Sequence, residues 1–163
     1  MKIAIIRRRF TPFGGAENFI LRTASGLSSL GIKFFIISEQ WKQNANHSKD
    51  IAWLEVKSSG IFRFSRFLSF QCAVKKIIAA NHFDLIHAHY GLSGLLATLQ
   101  RKVPVIITFH GSDINIKKNY KWSFIASRIS KKNIFVHKNQ PEKLKIRSSK
   151  KDIIPCGINL DIF

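Results

Sequence analysis

Long apolar stretches are missing from this chain. No run of about 18 uncharged apolar residues occurs, so no membrane-spanning helix is expected. The first apolar run, residues 3–6, is short and is followed rather than preceded by Arg7-Arg8-Arg9, which is unlike a secretory signal, and a cytoplasmic protein is expected. Cysteine is scarce. Cys72 and Cys156 are the only two, they have no metal-ligand or redox spacing, and both are expected to remain thiols. Neither Gly-x-Gly-x-x-Gly nor Gly-x-x-x-x-Gly-Lys-Ser/Thr is present, which removes the ordinary dinucleotide and mononucleotide fingerprints. Internal repeats and low-complexity segments are also absent. Acidic residues are few: 9 Asp and Glu stand against 27 Lys and Arg, a formal charge of +18 that is spread over both halves of the chain. Such a field attracts nucleic acid, an anionic membrane face or phosphorylated small molecules, and net charge alone does not choose among them.

What is present suits one globular domain. The 163 residues are 45 % hydrophobic and include 14 Phe, ample material for a core. Residues 2–6 form a strand-like apolar run. A loop over residues 10–15 ends in Gly14-Gly15, and a helix follows over residues 16–30, with Phe19, Ile20, Ala24, Leu27 and Leu30 at helical spacing, Glu17 in the first turn and Gly31 as the stop. Further strands are expected over residues 32–38, 51–56, 84–89, 103–109, 133–136 and 153–154. Helices are expected over 61–80, 91–100, 120–130 and 141–147, with a polar loop over 41–50 and a polar turn over 147–152. Strand and helix alternate. The fold class expected is α/β, a Rossmann-like doubly wound parallel sheet in a single domain.

Ligands of open parallel sheets bind beyond the carboxyl ends of the strands. The residues there are Gly14 and Gly15 after the first strand, His87, His89 and Tyr90 at the fourth, His110, Gly111, Ser112 and Asp113 after the fifth, and His137 after the sixth. Gly14-Gly15 fits either a tight strand-to-helix turn or close approach of a phosphate to helix N–H groups. Arg7-Arg8-Arg9 fits either an anion site or a solvated charge run. His87 and His89 share one face of a strand and, with His110, supply three imidazoles, but no fourth ligand of matching spacing is visible, so hydrogen bonding or substrate contact is favoured over a metal. In His110-Gly111-Ser112-Asp113 the histidine can approach a ligand closely, while Ser112 and Asp113 suit the cap of a following turn. The helix over residues 61–80 is basic and aromatic. It fits an anionic membrane surface or, more simply, a half-buried amphipathic helix.

Four segments together resemble the amino-terminal domain of a family 4 glycosyltransferase of the two-Rossmann-domain (GT-B) type. They are Pro12-Phe13-Gly14-Gly15-Ala16-Glu17 with Ala24, Leu27 and Gly31; Phe83-Asp84-Leu85-Ile86-His87-Ala88-His89; Val105-Ile106-Ile107-Thr108-Phe109-His110-Gly111-Ser112-Asp113; and Ile154-Pro155-Cys156-Gly157-Ile158-Asn159. Residues 10–31 are also similar to glycosyltransferases of lipopolysaccharide-core assembly. The resemblance implies that Gly14 and Gly15 approach the donor diphosphate, that His110 lies at the catalytic centre near the transferred sugar, and that Gly111 and Asp113 shape the acceptor side. Arg7, His87 and His89 are the other expected acceptor-side residues.

The resemblance also implies a retaining transfer from a nucleotide-sugar co-substrate to a glycan or glycolipid, with no catalytic metal and no cofactor, near the inner membrane face and with anionic lipid as a neighbour. Two departures stand out. Cys156 occupies a position where the family usually has Asn, and the 163 residues end where the family's donor-binding domain begins. The expectation is therefore the acceptor-side half of an enzyme over residues 1–163, inactive without a carboxyl-terminal domain, which a separate chain would supply or which truncation, a split gene or gene decay has removed. A different class, a non-catalytic basic module for nucleic acid or anionic phospholipid, is the rival; no nucleic-acid motif supports specific nucleic-acid binding.

Overall fold

The apolar run at the start of the chain forms β1 (Lys2–Ile6), buried from its second residue onward. The computed structural model describes residues 1–10, 14–39, 51–59 and 61–157. The expected loops over 11–13 and 41–50, and residues 158 and 159 of the last resembling segment, lie outside the described residues. Gly14 is the N-cap of α1 (Gly15–Ser28), which leads to β2 (Lys33–Ser38). β3 (Ile51–Glu55), α2 (Arg63–Asn81) and β4 (Leu85–His89) follow. The second half comprises α3 (Gly91–Thr98), β5 (Val105–Phe109), α4 (Ser112–Asn115), α5 (Lys117–Ile129), β6 (Lys132–Phe135), α6 (Gln140–Leu144) and β7 (Lys151–Ile153).

Among the described residues the strands form one seven-stranded sheet in the order β3-β2-β1-β4-β5-β6-β7, and every neighbouring pair is parallel. The strand order reverses between β1 and β4, so the chain leaves these two strands toward opposite sides of the sheet. That reversal opens a crevice at their carboxyl ends, which is where open α/β sheets bind ligands.

Alternation along β1 separates the two faces. Ile3 and Ile5 pack with Ile20 and Ala24 of α1, with Phe34 and Ile36 beside them. Ala4 and Ile6 face the opposite way, into a core that holds Phe70, Val74 and Ile78 of α2, Leu96 of α3 and Ala126 of α5. The four-residue spacing of Phe70, Val74 and Ile78 puts them on one helix stripe, and withdrawing each from water contributes roughly 2 kcal/mol. Register carries the same logic across the sheet: Ile5 pairs with His87 and His87 with Ile106, so His87 and His89 share the α1 face.

Several expectations are corrected. Leu30, assigned to the apolar stripe of α1, is 73 % exposed, because the helix ends at Ser28. The helix expected over 120–130 begins at Lys117 and is preceded by the single turn α4. The polar turn over 147–152 holds a 3-10 turn, Ser148–Lys150, and the start of β7, whose Lys151 pairs with Asn133 and Asp152 with Ile134. Edge strands carry charge to discourage further pairing, and that charge hides them from an apolar-run criterion.

Candidate active site at the carboxyl edge

The ends of β1, β4 and β5 bring the expected site residues together. His87 and His89 stack with ring centroids 4.3 Å apart, and His89 faces His110 at 5.2 Å. The rings are also hydrogen-bonded: His89 Nδ1 and His110 Nε2 are 2.9 Å apart, and His87 Nε2 lies 2.7 Å from Thr108 Oγ1. One ring nitrogen of each histidine is thus engaged by a neighbour in the sheet, rather than the three pointing at a common centre. Among the described residues, no three His, Cys, Asp or Glu side chains are grouped as metal ligands would be.

Burial sets the charge of this cluster. His89 is 1 % exposed, and burial first, then His87, His110 and Arg7, hold its imidazolium form well below the usual range. His87 is lowered to about 4 by burial and by His110. His110 is lowered to about 4 by burial and by Arg7, with Glu17 opposing. All three are neutral near pH 7 and act there as hydrogen-bonding groups, not as cations.

Asp113 links two turns. Its Oδ1 accepts a hydrogen bond from Gly111 N at 2.9 Å and its Oδ2 one from Gly91 N at 3.2 Å, so the loop after β5 is tied to the start of α3. Burial raises its carboxyl to about 6 against the backbone N–H groups that favour the anion. Ser123 of α5 donates from Oγ to the Asp113 carbonyl at 2.7 Å. Gly91 is needed for this fit, since a Cβ there would collide with Ser123, its backbone included. Gly111 has φ +101°, a conformation open to glycine and strained for other residues, and the side chain of Gln140 lies behind it. The Gln140 Oε1 is buried with no hydrogen-bond partner among the described residues.

The arginine run divides. Arg7 forms an ion pair with the buried Glu17 at 3.0 Å and its guanidinium lies 4.0 Å from the centre of the Tyr90 ring. Arg8 pairs with Glu39 at 2.9 Å. Arg9 is exposed and has neither among the described residues. Arg7, an expected acceptor contact, is thus held by Glu17 and Tyr90 within the site wall, and of the three only Arg9 keeps its donors uncommitted among the described residues.

The glycine loop also divides. A Cβ on Gly14 would run into the Glu17 carboxylate, whereas one on Gly15 would meet nothing within 4 Å. Gly15 lines an open groove of about 710 Å³ with Asn18, Phe19, Arg22, Cys156 and Gly157. Cys156 and Cys72 are free and exposed.

Two residues outside the expected set, Phe19 and Arg66, belong to the site, and Tyr90, expected at the strand edge, joins them. Phe19, assigned to the core stripe of α1, instead sets its ring edge-on to His89 and His110, at 6.2 and 5.8 Å. Tyr90 has φ +71° and lies 4.9 Å from the His110 ring; its place just after the fourth strand was a sequence signal, but its strained backbone was not visible there. Arg66 reaches the edge from α2 and lines a cavity with Arg9 and Tyr90. No local pattern marks it. The His137 ring, beyond β6, accepts a hydrogen bond only from the backbone N–H of Asn139 among the described residues and stays outside the histidine cluster.

A doubly wound parallel sheet with histidines, a glycine loop and arginines at its switch point defines a Rossmann-like domain with a polar ligand edge. The comparisons place it further. Residues 13–162 match the model of Glycosyltransferase Family 4, and the chain belongs to that family. It is 33 % identical over 90 residues to TuaC of Bacillus subtilis (strain 168), named for glycosyl transfer in teichuronic acid biosynthesis; the match covers 49 % of this chain and 23 % of TuaC.

The apo lipopolysaccharide outer core galactosyltransferase WaaB superposes with a TM-score of 0.79 at 17 % identity, over 95 % of this chain and 45 % of WaaB. Anabaena HepE, solved in complex with UDP-glucose, gives 0.75 at 13 % identity, over 99 % of this chain and 45 % of HepE. At these identities the structural likeness is one of fold. The chain spans about half the length of WaaB and HepE, and its match covers less than a quarter of TuaC. Among the described residues no helix is long and apolar enough to cross a membrane.

Proposed function

We propose that this chain is the acceptor-side half of a retaining glycosyltransferase that moves a sugar from a nucleotide-sugar donor to a glycan or glycolipid of the cell surface. The observation that carries the reading is the convergence of His110, His89, Tyr90 and Asp113 beside Gly15 at the switch point of the sheet. Membership of family 4, with relatives named for teichuronic acid and lipopolysaccharide synthesis, supports the substrate class.

In this reading His110 lies against the transferred sugar. As a neutral imidazole anchored by His89, it hydrogen-bonds a sugar hydroxyl and brings no competing positive charge. The leaving nucleoside diphosphate gains negative charge as the glycosidic bond breaks. The free N–H groups at the start of α1, with Arg22 in the same groove, are placed to stabilise it. Of the two glycines, Gly15 gives the closest approach, and Gly14 makes room for Glu17. Asp113 and Gly111 shape the acceptor side by fixing the turns around it, while Arg7, His87 and His89 support that wall. No metal and no cofactor has a role in this scheme. The donor's nucleoside is held by a second domain, on this or another chain, and the 163 residues alone do not transfer.

Contact with an anionic membrane face is part of the proposal. Ile61 and Phe62, just before α2, are 95 % and 75 % exposed, and Arg66 follows them one turn later. Such a pairing of apolar tips with a cation suits the lipid headgroup boundary. The test is a transfer assay with nucleotide sugars and membrane-derived acceptors, run with the chain alone and with a family donor domain added. Transfer only in the combined sample is expected. Transfer by the isolated chain overturns the half-enzyme reading, and none under either condition overturns the enzymatic one.

A further inference from the structure

We infer that the cavity at the ends of β1 and β4 seats a negatively charged group of the acceptor, a phosphate or a carboxylate, gripped by Arg9 and Arg66. The inference rests on the acceptor-side reading and narrows it from glycans in general to acceptors that carry an oxyanion close to the accepting hydroxyl.

The cavity encloses about 330 Å³, within the range of small-molecule sites, and Arg7, Arg8, Arg9 and Arg66 all line it together with Tyr90 and Asp113. Four guanidinium groups around one small space repel one another unless anions answer them. Two are answered from within the chain: Arg7 by Glu17 and Arg8 by Glu39. Arg9 and Arg66 are exposed and have no ion pair or side-chain hydrogen bond among the described residues. The carboxylate in the wall, Asp113, does not answer them. Its two oxygens are engaged by the N–H groups of Gly111 and Gly91.

Two uncommitted guanidinium forks, delivered by separate elements to one concave site, match the planar, bidentate geometry of a phosphate or carboxylate. The lining also includes Tyr90, whose ring lies 4.9 Å from that of His110. An acceptor anchored by its anion therefore lies alongside the proposed reaction centre. A second basic concavity differs in kind. It runs along the amino ends of the strands past Arg101, Lys102, Lys131 and Lys150, away from the histidines, and the Lys150 ammonium is spent on the carbonyls of Arg128 and Ser130.

The test is titration of the full chain with glucose 6-phosphate, glucuronate and glucose at physiological ionic strength, read by calorimetry. At least one charged sugar is expected to bind at least about tenfold more tightly than glucose, and the stronger of the two names the source of the anion. Arg9→Ser with Arg66→Ser, both exposed and expected to melt like the parent, should weaken that binding about tenfold or more. Lys102→Ser with Lys131→Ser should leave it unchanged. Equal affinity for glucose, no binding of either charged sugar at millimolar concentration, full affinity in the arginine double variant, or an equal loss in the lysine double variant would each overturn the inference. The last result would assign the effect to the diffuse charge of the chain. Charged-sugar binding that behaves as expected in a protein that never transfers sugar leaves this site standing and removes the enzymatic reading alone.

Discussion

Acidification from pH 7 to pH 5 is expected to destabilise the fold by about 2 kcal/mol, and the histidine cluster is the reason. His87 and His110 have folded values near 4 against an ordinary 6.5. A group lowered on folding contributes fully above its unfolded value, and that contribution is lost as pH falls toward the folded one. Over this interval each unfolded imidazole takes up about 0.7 of a proton, most of which its folded counterpart refuses, a cost of about 2 kcal/mol for a fully buried ring.

Both rings are only partly buried, so solvent screening trims each cost to about 1.5 kcal/mol. Asp113 acts in the opposite sense. Raised to about 6 on folding, it gives stability that is present at low pH and lost as pH rises through that value, and it returns about 1 kcal/mol on acidification. Two histidines outweigh one carboxyl, and His89 adds in the histidines' direction. Urea unfolding at the two pH values, followed by tryptophan fluorescence, measures the difference. His110→Gln should remove one imidazole's share, leaving a decrease of about 0.5–1 kcal/mol. Equal or greater stability at pH 5 would refute the reasoning, since it would mean that the rings are not held neutral by burial.

Three further outcomes follow from the site's packing. Gly15→Ala should leave stability unchanged or raise it by up to about 1 kcal/mol, because the new methyl meets open space in a helix; a fall in donor-dependent transfer by the two-domain enzyme would then report the ligand's approach. Arg7→Gln strands the buried Glu17 carboxylate and should cost about 2–3 kcal/mol in urea unfolding, most of it recovered by adding Glu17→Gln; a single variant as stable as the parent would show that the pair is not stabilising. Gly111→Ala forces φ +101° on a residue with a Cβ that crowds Gln140, at about 1–3 kcal/mol; an unchanged melting temperature would contradict the strain.

The layers of the fold were legible because burial on both faces demands apolar runs. Residues 3–6, 34–37 and 105–109 carry them, and glycines or polar clusters punctuate the chain between. The site edge was legible for the same reason: once a parallel sheet is expected, the residues after each strand become neighbours, and His87, His89, His110 and Asp113 do meet there. What was hidden depends on direction and partnership, which spacing does not encode. Phe19 looks like a core residue of α1, yet it presents its ring edge-on to two histidines.

Three arginines in sequence look equivalent until Glu17 and Glu39 claim the first two. Tyr90 and Arg66 converge only through the crossover of α2 and a backbone turn that no composition reveals. β7 was expected only over residues 153–154 and begins at Lys151, because an edge strand can be polar and still pair.

The measurement that bears most directly on the central claim is nucleotide-sugar-dependent transfer by the two-domain enzyme carrying His110→Ala. The variant is expected to keep its circular dichroism and melting behaviour while kcat falls by about 100-fold or more. Transfer near the parent rate in a folded His110→Ala enzyme would contradict the assignment of the carboxyl edge of this sheet as half of an active site.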